Sequence, residues 1–139
     1  MTPRSCAILV LLTCLFGCAG DRPGDSRSAP LTLTLLAEDS GKTLELMAGE
    51  RVQLQLAENP STGFQWALDL QDRQLSLEAS DFTLDAGGQP GSWGMRTFRF
   101  RVLEPGEARL RLKYWRQWEG ERSVVNRFAI LFRIRPPAR

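Results

Sequence analysis

The chain has 139 residues, a formal net charge of +2 at pH 7, 42% hydrophobic residues, 3 cysteines and no histidine. Without histidine it has neither a Ser-His-Asp triad nor a His-built zinc site, and a charge so near neutral gives no electrostatic footprint for nucleic acid. The length suits one domain of ordinary size with a core large enough to hold it together.

The first eighteen residues open with one basic side chain, Arg4. They run through an apolar stretch from Ala7 to Phe16, interrupted by Thr13 and Cys14, and end Leu15-Phe16-Gly17-Cys18. Residues 1–17 read as a secretory signal peptide, too short to span a bilayer as a stable helix. The ending resembles a bacterial lipobox. That resemblance implies cleavage before Cys18, lipidation of its thiol and of the new amine, and stable membrane anchoring through more than one acyl chain. Cys6 and Cys14 would leave with the signal peptide, so no thiol would remain for a disulfide, a metal or a nucleophile. Ala19 stands where enterobacterial lipoproteins retained in the inner membrane commonly carry aspartate. By that analogy the expected location is the cell envelope, anchored in the outer membrane. From Ala19 to Pro30 the residues are small, charged or Pro, with no large apolar side chain. Residues 18–30 are therefore expected to be a lipidated flexible tether, and residues 31–139 the folded domain.

Along the domain the apolar period is two, the mark of half-buried strands. Leu31/Leu33/Leu35, Val52/Leu54/Leu56, Phe98/Phe100/Val102, Ala108/Leu110/Leu112 and Phe128/Ile130/Phe132/Ile134 supply the inward face. The residues between them, such as Gln53, Gln55, Arg99, Arg101, Arg109, Arg111 and Lys113, are expected to face water. Weaker strands are expected at Thr43–Met47, Phe64–Leu70, Leu75–Leu77 and Phe82–Leu84. Turn signals separate the runs at Gly41, Ala48-Gly49-Glu50, Asn59-Pro60, Gly87-Gly88, Glu104-Pro105-Gly106 and Glu119-Gly120. No helix longer than a turn is expected. The pattern predicts an all-β fold of two packed antiparallel sheets with loops gathered at the ends.

Three of the connections carry more than turn chemistry. In Asn59-Pro60-Ser61-Thr62-Gly63-Phe64, proline fixes one torsion, Asn59 is biased to extended backbone and Gly63 permits a positive φ, so the loop is expected to be compact and presented. The stretch Gly87–Gly94 is rich in glycine, which allows close backbone approach to a partner, and includes Gly91-Ser92-Trp93-Gly94. The third, Tyr114-Trp115-Arg116-Gln117-Trp118-Glu119-Gly120, leaves a strand with Tyr114 expected inward and sets Arg116 and Trp118 at a tip. Those two residue types dominate interface hot spots.

The order and spacing of these segments resemble the chagasin family, immunoglobulin-like proteins that plug the cleft of papain-like cysteine proteases, and the resemblance covers nearly all of residues 31–135. The family's central loop reads Asn-Pro-Thr-Thr-Gly followed by Tyr or Phe, and here Ser61 and Phe64 are the only exchanges. Its Gly-x-Gly-Gly segment corresponds to Gly91–Gly94, with Trp93 in place of a glycine. Its Arg-Pro-Trp or Arg-Pro-Phe segment corresponds to Arg116-Gln117-Trp118, with Gln117 in place of proline. The resemblance implies an immunoglobulin-like antiparallel β-sandwich with three inhibitory loops at one end. Protease binding would then fall on residues 59–64, 91–94 and 116–118, with Ser61, Thr62 and Gly63 over the catalytic cysteine and histidine. It implies a reversible competitive inhibitor rather than an enzyme, without cofactor or metal, acting as a monomer. The contrasting reading is a non-inhibitory envelope lipoprotein that binds peptidoglycan, polysaccharide or an assembly partner through Trp93, Trp115 and Trp118. A tethered folding or secretion factor, indifferent to both sets of residues, is a third.

Overall fold

In a computed structural model, described for residues 30–137, eight strands form two four-stranded sheets packed face to face. The expected signal peptide, lipidation of Cys18 and all but the last residue of the tether lie outside the described residues. The strands are β1 (Thr32–Leu35), β2 (Thr43–Met47), β3 (Arg51–Glu58), β4 (Gln65–Gln71), β5 (Leu75–Leu84), β6 (Gly94–Val102), β7 (Gly106–Trp115) and β8 (Asn126–Arg135). One sheet has the order β1-β3-β6-β5 and the other β2-β8-β7-β4. The only helical segments among the described residues are single 3-10 turns.

The predicted alternation places the core. Val52, Leu54 and Leu56 of β3, Phe98, Phe100 and Val102 of β6, Ala108, Leu110 and Leu112 of β7, and Phe128, Ile130, Phe132 and Ile134 of β8 are all buried. They interdigitate between the sheets, while Arg99, Arg101, Arg109 and Arg111 alternate outward. Each fully buried aliphatic or aromatic side chain contributes roughly 1.5–3 kcal/mol of transfer free energy, so these four inner strands hold the fold.

Four expectations are corrected. First, of Leu31, Leu33 and Leu35 only Leu35 is in the core; Leu31 is 70% exposed, because β1 is a four-residue edge strand that overlaps only half of β3. Second, each sheet has one parallel pair at its edge, β1 with β3 and β2 with β8. The chain enters at the end where β3 begins and so runs the same way as β3. Third, the two short strands expected at Leu75–Leu77 and Phe82–Leu84 are one ten-residue strand, β5. A bulge between Leu77 and Ala79 shifts the register, so the core-side positions fall on odd residues before it and even residues after it. Fourth, Lys113 lies on the outer face as alternation requires but is buried.

The register fixes which connections share an end. Glu58 pairs with Gly94, Leu84 also pairs with Gly94, Gln65 with Trp115, and Tyr114 with Asn126. The β3–β4, β5–β6 and β7–β8 connections therefore emerge together. Thr32 pairs with Arg51, at the opposite end, so the chain enters the domain far from these three loops.

Candidate functional site

The central loop is built outward from the end of β3. Asn59 caps a 3-10 turn at Pro60–Thr62, proline occupies the first helical position where no N–H is needed, and Gly63 closes the turn at φ 81°. The Asn59 Oδ1 accepts from the Ser61 N–H at 3.2 Å and from the Ser61 hydroxyl at 2.6 Å. The Thr62 hydroxyl donates to the Asn59 carbonyl at 2.7 Å and accepts from the Phe64 N–H at 3.3 Å. These bonds fold the turn on itself, while Ser61 and Thr62 remain exposed at its tip. The ordering entropy of the tip is lost on folding rather than on binding.

Two braces hold this loop to its neighbours. Towards the second loop, the Asn59 side-chain amide donates to the Gly91 carbonyl at 3.1 Å. Towards the third, the Arg116 Nε donates to the Thr62 carbonyl at 3.1 Å, and its guanidinium lies 4.4 Å from the centre of the Phe64 ring. Arg116 also pairs with Glu119 at 3.1 Å. Trp118, 72% exposed, lies over Gly63 so closely that a Cβ there would stand 2.3 Å from the indole. Gly63 is favoured as glycine by its positive φ, and a Cβ there would displace the ring above it.

The second loop consists of two turns with Gly87 and Gly91 at positive φ. The Gly88 N–H donates to the Asp85 carbonyl and the Ser92 N–H to the Gln89 carbonyl. Trp93, 53% exposed, stands at the exit of this loop. Gly94 is different: it is the buried first residue of β6, where a Cβ would meet the Thr83 carbonyl at 2.4 Å and the Phe82 ring at 2.6 Å. Asn59 is likewise buried and scaffolds the tip from below. Of the thirteen residues singled out from sequence, Ser61, Thr62, Gly91, Trp93, Gln117 and Trp118 form the exposed surface, and Pro60, Gly63, Phe64, Ser92 and Arg116 flank or brace it.

Beneath the loops lies a support that sequence reasoning did not anticipate. At their loop ends, the inward rows of β3 and β6 stop being apolar and present Glu58 and Arg96. Glu58 is wholly buried; its Oε1 accepts from Arg96 Nη2 at 2.6 Å and Nε at 3.1 Å, and its Oε2 accepts from the Trp66 N–H at 2.8 Å. Arg96 also lies 5.4 Å from the centre of the Phe82 ring. Trp66 stacks on Tyr114 at 5.1 Å, and the Tyr114 hydroxyl accepts from the Asn59 N–H at 3.2 Å. Tyr114 is inward, as expected. The available signal was positional: a carboxylate two residues past Leu56 continues the inward row of β3.

The third loop has a head and a foot. The head, a 3-10 turn at Gln117–Glu119, carries Trp118; the foot, a second turn at Glu121–Ser123, follows Gly120 at φ 72°. The buried Ser123 hydroxyl accepts from the Arg116 N–H at 3.0 Å, closing the loop on itself. Among the described residues no group of three or more His, Cys, Asp and Glu side chains is placed to hold a metal.

A sandwich that presents three loops at one end, the outer two bonded to the central one, has the form of a protein-binding module. Comparison with known proteins gives it a family. Residues 45–131 match the family described as chagasin family peptidase inhibitor I42. Chagasin of Trypanosoma cruzi is 32% identical over 97 residues, which cover 66% of this chain and 87% of chagasin. Amoebiasin-2 of Entamoeba histolytica is 26% identical over 87 residues, covering 61% of this chain and 71% of that protein. Among solved structures, the cysteine protease inhibitor EhICP2 from Entamoeba histolytica superposes with a TM-score of 0.69 at 23% identity, covering 76% of this chain and 96% of that one. PbICP-C, solved in complex with falcipain-2, shares the fold at a TM-score of 0.56 and 14% identity, covering 76% of this chain and 99% of that one. The chain belongs to the chagasin family of peptidase inhibitors.

Proposed function

We propose that this chain is a reversible, competitive inhibitor of papain-like cysteine proteases that fills the active-site cleft with the loops at 59–64, 91–94 and 116–118. The observation that carries this reading is the braced tip: Thr62 is exposed at the crest of a turn whose backbone is bonded to Asn59 on one side and to Arg116 on the other. Cleavage needs a peptide bond held in near-attack geometry at the nucleophile. In this tip the Thr62 N–H is bonded to the Asn59 carbonyl and the Gly63 N–H to the Pro60 carbonyl, a curled path unlike an extended substrate strand. The tip occupies the cleft without aligning a scissile bond. Trp93 and Trp118 flank it as apolar anchors, and the interface is of standard size, roughly 1,600 Å².

The inhibitor acts as a monomer held at the cell envelope through lipid on Cys18. Entry of the chain at the end remote from the loops supports this arrangement, since a tether joined there leaves the inhibitory edge pointing away from the membrane. Steady-state inhibition of papain and of a cathepsin L-type protease by the purified chain tests the reading. Competitive inhibition with the inhibitor recovered uncleaved is expected. Absence of inhibition by a folded chain contradicts it and shifts the reading to envelope binding through Trp93, Trp115 and Trp118.

A further inference from the structure

Lys113 sits on the outer face of β7 yet is 8% exposed. Its ammonium lies 3.7 Å from the centre of the Trp115 ring, bonds to Glu121 at the start of the loop's foot, and stands 3.6 Å from Asp69. Asp69 is the residue bulged out of β4, between Leu68 and Leu70. Arg127 of β8 completes the cluster, 3.5 Å from Asp69 and 3.6 Å from Glu121. Two cations and two anions from β4, β7, β8 and the foot thus share one site. The head that carries Trp118 runs through Gly120 directly into the foot, so the hold on Glu121 is one of the ties, with the Arg116–Glu119 pair, that position the indole over Gly63.

From this geometry we infer that Lys113 is a positioning residue of the inhibitory surface: it clamps the foot of the third loop to the sheet through Glu121 and thereby sets the place of Trp118. It touches no partner itself. The inference rests on the inhibitor reading for its consequence, but the clamp can be tested apart from inhibition.

Two measurements on the full chain, with Lys113→Met and Lys113→Arg, decide it. In Lys113→Met, amide hydrogen exchange across Gly120–Val125 is expected to speed roughly tenfold while β8 core amides are unchanged, with Lys113→Arg restoring much of the protection. Unchanged exchange in the foot, or a uniform increase across the sandwich, overturns the clamp. The inhibition constant against papain is expected to rise roughly tenfold in Lys113→Met, and by less than about twofold when the same change is made in a Trp118→Ala background. An equal rise in both backgrounds, or no rise in either, overturns action through Trp118. If the unmodified chain does not inhibit, the inhibitor reading fails on its own, while the exchange result still decides the clamp.

Discussion

The two ends of the sandwich are held by different physics. At the remote end, the turns at Ala48–Glu50 and Asp72–Gln74 are held by backbone bonds, such as the Gly49 N–H to the Val102 carbonyl at 2.9 Å and the Leu103 N–H to the Gln74 carbonyl at 2.8 Å, and by local side-chain bonds, such as the Glu50 carboxylate accepting from the Met47 N–H at 2.9 Å. Its ion pairs, such as Arg109 with Asp72 at 3.1 Å, are exposed. At the loop end, buried polar groups join segments far apart in sequence: Glu58 to Arg96, Asn59 to Gly91, and Tyr114 to Asn59. Exposed pairs contribute little, whereas a buried polar group left without its partner carries its full desolvation cost. The loop end, which carries the proposed protease-binding surface, is therefore the brittle end, and its order depends on side-chain contacts that no short motif contains.

The sharpest way to break this asymmetry is Glu58→Ala. It leaves the Arg96 guanidinium and the Trp66 N–H without their acceptor, and stability is expected to fall by about 3 kcal/mol in urea unfolding. Gly63→Ala comes next. The positive φ and the indole above it both resist a Cβ, so a loss of about 1–2 kcal/mol is expected, with a shifted Trp118 and weakened inhibition. Asn59→Ala removes the cap and the bridge to the second loop, for about 1 kcal/mol, with a larger relative effect on inhibition than on unfolding. At the remote end the expected effects are smallest. The Arg109 side chain, then its backbone N–H, hold the Asp72 carboxyl below its usual value. A depressed carboxylate contributes stability above its unfolded value and loses it as pH falls through the folded one. Asp72→Asn should thus lower stability slightly at neutral pH, leave it unchanged in acid, and so shrink the loss seen as pH falls below about 4.

Legibility in the sequence follows the same division. The inward rows of β3, β6, β7 and β8 were readable because alternation continues unbroken from residue to residue. β5 reads as two fragments because the bulge at Glu78 reverses its phase, and Leu31 continues an inward row in the sequence yet is exposed because an edge strand covers only part of its neighbour. At the site, Gly63, Pro60 and Asn59 announced a compact turn through their own torsional and capping preferences. Glu58, Arg96 and Lys113 did not, since their hydrogen-bonded and ion-paired partners lie at least eight residues away and only the fold brings them together.

On the proposed function, exposed Thr62, braced from both sides, is what enters the protease cleft. Inhibition of papain by the full chain, compared with Thr62→Arg, tests it most directly, with urea unfolding of both as the control for folding. Competitive inhibition lost by at least about a hundredfold is expected in the variant, with an unfolding midpoint lowered only modestly by loss of the two bonds of the Thr62 hydroxyl. Inhibition that persists in a folded Thr62→Arg chain would contradict it and place the contact elsewhere on the molecule.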